Sequence, residues 1–211
     1  MHQPQPSAAD PPTPPVAGVL LAAGAGRRFG RPKALVEYQG ELLVERAAAV
    51  LRDGGCAPVH VVVGAEAERI RTQARLPGCR LVVNPDWPTG MASSLRAGLA
   101  SLPDGPAAAL VTLVDTPGVT AAAVARLLAA HADGADLAAA GYAGRRGHPV
   151  LLGRRWWAEA ATLATGDRGA RDLLRAHEDE LRLVECGRIA EPTDIDTVED
   201  LRALQGRAAR P

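Results

Sequence analysis

Seven apolar residues in unbroken succession, Val16 to Ala22, run straight into a glycine-rich loop. A strand with one wet face alternates polar and apolar residues, whereas a strand covered on both faces reads as a continuous apolar run. The run is therefore expected to be an inner strand with helices packed on both sides. Residues 58–63 and 107–114 read the same way, and shorter strands are expected over 80–83, 136–140, 149–152 and 181–186. Between them the spacing predicts helices over 41–53, 66–74, 92–102, 120–132, 154–163, 169–177 and 197–204. Gly54-Gly55 stop the first helix, and Thr120 is placed to cap the fourth. Alternating strands and helices predict one three-layer α/β/α domain with a mostly parallel sheet over 16–211. Residues 1–15 hold six prolines, and are expected to form a disordered tail rather than a signal peptide. Ligands of such sheets lie beyond the carboxyl ends of the strands.

Charge narrows the functional classes. The chain has 24 Lys+Arg against 24 Asp+Glu, so no basic excess drives general binding to a nucleic-acid backbone. Its three cysteines, Cys56, Cys79 and Cys186, form no CxxC pair, which suits a reducing cytoplasm better than a disulfide framework or zinc ribbon. The longest apolar run is too short to span a bilayer. Of the 24 cations, 23 are arginine, and Lys33 is the only lysine. The only asparagine, Asn84, the only phenylalanine, Phe29, and the only internal methionine, Met91, join Lys33 in two short segments.

The first segment follows the opening strand: Leu21-Ala22-Ala23-Gly24-Ala25-Gly26-Arg27-Arg28-Phe29-Gly30-Arg31-Pro32-Lys33. Glycines let backbone N–H groups close on a ligand, and curled N–H groups with nearby cations bind anions. A polyphosphate is the expected ligand. The dinucleotide fingerprint fails, because Gly24-x-Gly26-x-x-x-Gly30 is one residue too long and the second strand ends at Val63-Gly64 without a ribose-binding acid. The P-loop pattern fails at Pro32 and at Ala34, where Ser or Thr is needed. In the second segment, 84–98, Ser93 and Ser94 fall at the start of a helix. Free N–H groups and hydroxyls there can hold a base edge or phosphate, or simply form a cap. Asp115, at the end of an apolar strand, is placed to face phosphates and hold Mg²⁺, or to cap the next helix.

These motifs resemble those of small-molecule nucleotidyltransferases, most closely the molybdenum cofactor guanylyl- and cytidylyltransferase family. Ala22, Ala23, Gly24, Gly26, Arg28, Gly30 and Lys33 fall on its L-A-A-G-x-G-x-R-x-G-x-x-K loop, which wraps a triphosphate. Arg27 falls on a variable position and joins them on charge alone. Gly26 stands where cytidylyltransferases often carry Ser. The string Asn84-Pro-Asp-Trp-Pro-Thr-Gly90-Met91-Ala-Ser93-Ser94 resembles the nucleotide-enclosing segment of the cytidylyl branch. Asp115-Thr116-Pro117 resembles the family's metal-binding Asp-x-Pro, with Thr116 a departure. Asp194-Ile195-Asp196-Thr197 resembles its D-I-D-T segment, where Asp196 is either a second Mg²⁺ ligand or a helix cap. Gly147-His148-Pro149 and the loop bearing Arg168 resemble acceptor-side segments.

The resemblance implies a Rossmann-like nucleotidyltransferase fold. It implies Mg²⁺-dependent CMP transfer from CTP to the phosphate of molybdenum-bearing molybdopterin, with Arg28, Lys33 and Asp115 catalytic. GTP as donor, or another phosphorylated small molecule as acceptor, is the nearest alternative. The product would pass to a molybdenum hydroxylase or its maturation factors. Two rivals come from other classes: a nicotinamide-dependent oxidoreductase, and a non-catalytic protein that holds nucleotide or pterin for a partner.

Overall fold

A computed structural model describes residues 14–208; the proline-rich stretch therefore lies almost wholly outside the described residues. In chain order the strands are β1 (Val16–Ala22), β2 (Glu37–Tyr38), β3 (Glu41–Leu42), β4 (Val59–Val63), β5 (Cys79–Val83), β6 (Ala108–Leu113), β7 (Leu137–Tyr142), β8 (Arg145–Gly153) and β9 (Arg182–Glu185). The helices are α1 (Leu43–Asp53), α2 (Ala67–Gln73), α3 (Met91–Ala100), α4 (Ala121–Ala132), α5 (Trp157–Leu163), α6 (Arg171–Ala176) and α7 (Val198–Ala208).

Seven strands form one sheet in the order β5-β4-β1-β6-β8-β7-β9. All neighbouring pairs are parallel except those of β8, which runs antiparallel to β6 and β7. β1 is buried at every position, and its side chains alternate between two cores. Leu20 and Ala22 join α1, α2, α4 and α7 on one face, through residues such as Leu51, Ile70, Leu127 and Leu201. Val19 and Leu21 join α3, α5 and α6 on the other, through Leu95, Leu99, Trp157 and Leu173. A period of two thus feeds two layers of helix, which is why the run shows no polar alternation.

The structure corrects three element bounds. Glu41 and Leu42 do not start the first helix; they pair with Glu37 and Tyr38 in a small hairpin, and Glu45 reaches back from the helix to accept from the Leu42 N–H at 3.0 Å. Residues 145–148, between the strands expected over 136–140 and 149–152, are themselves strand. Ala143 and Gly144, both at positive φ, make a tight turn, and β8 runs from Arg145 through Gly153. The register with β7 skips His148-Pro149, as a bulge does, and such a bulge re-aims a side chain. Finally, Gly169 takes positive φ, so α6 begins two residues later at Arg171. The expected Thr120 cap is present: its hydroxyl accepts from the Ala123 N–H.

One buried polar contact ties α3 to the sheet and carries a pH consequence. His60 on β4 is buried, and its Nδ1 lies 2.8 Å from the Ser101 hydroxyl. That hydroxyl donates to the Gly98 carbonyl at 2.7 Å, so the His60 Nδ1–H must donate to it. Burial, with the nearby Arg80 charge, lowers the His60 pKa below its ordinary 6.5. The unfolded chain then binds the proton more readily than the native one, so stability is full above about pH 6.5 and falls as pH drops below it. Urea unfolding at pH 7 and pH 5 should show the loss, reduced in His60→Gln. An equal loss in both proteins would assign it elsewhere.

Candidate active site

The loop leaving β1 is shaped by packing before it meets any ligand. Gly26 sits at φ +62, and a Cβ there would lie 1.9 Å from the Arg31 carbonyl oxygen, so only glycine fits. The Gly30 N–H donates to the Gly26 carbonyl at 2.8 Å and closes the turn. Phe29 is buried in the core and anchors the loop. A 3₁₀ turn over Lys33–Leu35, with Ala34 and Leu35 buried, returns the chain so that Lys33 points inward.

Lys33 then meets two carboxylates. Its Nζ donates to Asp115 Oδ2 at 2.8 Å and to Asp196 Oδ1 at 2.7 Å. An Arg28 guanidinium nitrogen lies 3.0 Å from the other Asp196 oxygen. The sheet explains the first contact. β1 and β6 are parallel neighbours with Leu21 opposite Leu113, while the chain departs from β1 to β4 and β5 on one side and returns to β6 on the other. Their carboxyl ends flank the crevice where strand order switches. The second contact is tertiary. The buried Ile195 donates its N–H to the Asp115 carbonyl at 2.8 Å, which lays 194–196 across the end of β6.

This geometry removes the capping alternative for both carboxylates. Thr197 and Asp200 cap α7 reciprocally: Asp200 Oδ2 accepts from the Thr197 N–H at 2.8 Å, and the Thr197 hydroxyl accepts from the Asp200 N–H at 3.2 Å. Asp196 is thereby left to face the cleft. Asp115 is likewise not a cap, since Thr120 caps α4.

The electrostatics suit a divalent cation. Burial works against the Lys33 charge, but its bonds to Asp115 and Asp196 outweigh it and hold the ammonium above its ordinary pKa. Asp194 is pushed up by burial and by the charges of Asp115 and Asp196. Asp115 Oδ1 is buried without a hydrogen-bond partner, and such an oxygen wants a cation. Among the described residues no cluster of three or more His, Cys, Asp or Glu could hold a metal ion unaided. Two carboxylates leaving further positions for water and substrate phosphate is the habit of Mg²⁺ sites.

These groups sit in an open cleft of about 1390 Å³ lined by Ala23, Gly24, Gly26, Arg27, Arg28, Lys33, Gly90, Met91, Ser94, Asp115, Gly147, His148, Arg168 and Asp196, among others. Ala22, Gly30, Asn84, Ser93 and Pro149 are not on its wall. Ala22 ends β1, buried, and Gly30 closes its turn. Asn84 and Ser93 are buried and spend their polar groups internally. The Asn84 amide donates to the Ser93 and Ser94 hydroxyls at 2.8 and 3.1 Å, and its Oδ1 accepts from the Asp86 N–H at 3.0 Å. The Ser93 hydroxyl lies 2.9 Å from the Asp86 carbonyl and 2.8 Å from that of Gly90. This pair shapes the loop behind the wall. The first N–H groups of α3 are also not free: Met91 donates to Asp167 Oδ1 at 3.2 Å and Ala92 to the Gly166 carbonyl at 2.8 Å.

The β8 bulge brings His148 to the cleft. Burial lowers its pKa, against a bond donated to the Val111 backbone and the Asp115 charge, so the ring is neutral near pH 7. Sequence reasoning passed over Arg145, Arg146 and Asp167, all on the wall. The twin arginines beside Gly147 were a visible signal; nothing in the sequence marked Asp167.

The MobA-like NTP transferase domain matches residues 18–181, the span from β1 to the approach of β9. The chain belongs to this family. MobA-like relatives carry more than one name. Nicotine blue oxidoreductase of Paenarthrobacter nicotinovorans is 42% identical over 199 residues, 90% of this chain and 97% of that protein. A probable molybdenum cofactor guanylyltransferase of Opitutus terrae is 36% identical over 107 residues, 51% of each chain. Rv0371c of Mycobacterium tuberculosis, solved in complex with manganese, superposes with a TM-score of 0.78 at 28% identity, over 92% of this chain and 98% of that one. Membership makes this chain a nucleotidyltransferase-type enzyme with the Rossmann-like fold. No helix among the described residues is long and apolar enough to cross a membrane.

Proposed function

We propose that this MobA-like enzyme transfers CMP from CTP to the terminal phosphate of molybdenum-bearing molybdopterin, releasing pyrophosphate. The observation that carries the reading is the packing of Lys33 and Arg28 against Asp115 and Asp196 at the switch point. Cations for a triphosphate and carboxylates for a metal share one corner of the cleft. Support for the acceptor comes from the relative named for molybdenum cofactor guanylyl transfer. Support for cytidylyl over guanylyl transfer comes from the resemblance of 84–94 and Gly147-His148-Pro149 to the cytidylyl branch.

In the reaction an acceptor phosphate oxygen bonds to the α-phosphorus of CTP as the bond to the bridging oxygen breaks. That oxygen is already ionised at neutral pH, so no strong general base is needed. Catalysis is then positioning and charge neutralisation. Gly24 and Gly26 let the backbone approach the triphosphate, and Lys33 and Arg28 take up the charge leaving with pyrophosphate. Asp115 and Asp196 would hold Mg²⁺ or a like ion, which supplies further neutralisation of phosphate charge. Arg168 and His148 line the cleft, and their resemblance to acceptor-side segments gives them to the acceptor. We place the reaction in the cytoplasm, with a molybdenum hydroxylase or its maturation factors receiving the product.

A second reading rests on the relative named as an oxidoreductase, which matches over nearly its whole length. It predicts NADH or NADPH oxidation with nicotine blue and no need for metal. The glycine spacing and the absence of an acid at Val63-Gly64 speak against a dinucleotide. Pyrophosphate release, assayed with each NTP with and without molybdopterin, separates the readings. Release with CTP alone, dependent on pterin, is expected, as is its loss in EDTA and return with Mg²⁺. Release with GTP alone assigns guanylyl transfer, and activity that survives EDTA removes the metal. No release with any NTP, joined to NAD(P)H oxidation, would establish the oxidoreductase.

A further inference from the structure

Asp167 lines the cleft assigned above to a triphosphate. A carboxylate there repels its ligand, so its presence calls for a use. Nearby, α3 lacks a cap of its own: Gly90 stands at the N-cap and offers no side chain. Asp167 fills that role from 76 residues away, accepting the Met91 N–H at 3.2 Å. The carbonyl of Gly166 takes the Ala92 N–H at 2.8 Å. Further along α3, an Arg96 guanidinium nitrogen donates to the Ala164 carbonyl at 2.9 Å. The first turns of α3 are thus joined at three points to one loop.

Gly90 makes the approach possible. It sits at φ +112, and a Cβ there would lie 2.5 Å from the Gly166 oxygen and 2.9 Å from Asp167 Oδ1. An acid at a helix N-terminus is favourable both as hydrogen-bond acceptor and against the helix dipole. The wall it fixes is the one carrying Gly90, Met91 and Ser94, the segment assigned above to the nucleotide. We propose that Asp167 is a positioning residue for the donor nucleotide, holding the start of α3 in its binding geometry by capping it from the acceptor-side loop. The inference rests on the nucleotidyltransferase reading.

Sign decides the test. Asp167 is exposed, so the fold should survive its replacement. If Asp167 acted only as a negative charge in the cleft, Asp167→Ala and Asp167→Asn would both tighten CTP binding. As a cap acceptor, Asp167→Ala should weaken it about 3- to 10-fold, the scale of one lost hydrogen bond, whereas Asp167→Asn keeps an acceptor oxygen and should bind within about two-fold of the unaltered protein. Calorimetric titration of the full chain with CTP and with GTP, in Mg²⁺, gives these values. Under turnover the loss should fall on KM and leave kcat nearly unchanged. Amide exchange over 90–94 supplies a readout that needs no nucleotide: it should rise in Asp167→Ala and not in Asp167→Asn. Unchanged exchange, or tighter binding by both variants, overturns the proposal. Failure of the unaltered protein to bind either nucleotide would instead sink the functional reading beneath it, with the exchange result still reporting on the cap.

Discussion

Lys33→Ala should lower turnover by about 10²–10³-fold with the fold intact, the usual cost of removing one charged contact to a reacting phosphate. Lys33 is held at both ends of its function. Packing of Ala34 and Leu35 fixes the backbone beneath it, and two carboxylates 2.7–2.8 Å away fix its ammonium. Before substrate arrives, that ammonium and Arg28 neutralise the carboxylates assigned to the metal. Removing it leaves Asp115 and Asp196 less compensated, so Lys33→Ala should bind free Mn²⁺ more tightly than the unaltered protein while turning over more slowly. Electron paramagnetic resonance of unbound Mn²⁺ measures the first effect, and pyrophosphate release the second. Lys33→Arg keeps the charge but replaces a compact ammonium with a planar fork, and should restore turnover only in part. Unchanged turnover in Lys33→Ala would remove Lys33 from the mechanism.

Gly26→Ala should be about as damaging, although Gly26 supplies no side chain. A methyl group would meet the Arg31 carbonyl oxygen at 1.9 Å, in a left-handed conformation that L-residues resist. The loop must move, and Arg28 and Lys33 move with it. A displacement near 1 Å at reacting groups costs on the order of 10²-fold in rate. Gly24→Ala separates loop shape from ligand approach, since nothing in the protein lies within 4 Å of the added Cβ. Thermal unfolding of Gly24→Ala should stay close to that of the unaltered chain, and Gly26→Ala should lose only about 1–2 kcal/mol, the cost of a left-handed L-residue on the surface loop. A large loss of turnover in Gly26→Ala alone assigns the effect to loop shape. Loss in Gly24→Ala as well would show that ligand approaches the backbone there too closely for a methyl group. Full activity in Gly26→Ala would mean that the loop tolerates rebuilding and that its curled shape is not what binds phosphate.

Much of the domain is written in local sequence. The burial of β1 on both faces follows from its composition, and strand ends such as Asp115 follow from where apolar runs stop. Thr120 as a cap follows from residue type and neighbourhood, and Phe29, Trp156 and Trp157 take buried places in the two cores, as large apolar side chains should. What escaped were strands whose pairing leaves no mark in their own composition. The strand from Arg145 looks like a glycine-rich loop until β7 lies beside it to take its hydrogen bonds. The hairpin of β2 and β3 is two residues a side, too short for any periodicity to register.

The site divides the same way. By itself the sequence determined that a glycine loop with Arg28 and Lys33 leaves a buried strand, and that a carboxylate closes another. Only the tertiary structure decided which charges meet. Asp196 turns to the cleft because Thr197 and Asp200 cap α7 without it and because Ile195 pins the segment to Asp115. Asn84 and Ser93 turn away from the cleft because each finds its partners inside the loop. Asp167 caps a helix that begins 76 residues earlier. Sequence fixes local dihedral preference and the apolar pattern, which act over a few residues. A hydrogen bond or ion pair acts over about 3 Å, and which groups come that close is known only after the sheet has brought distant segments together.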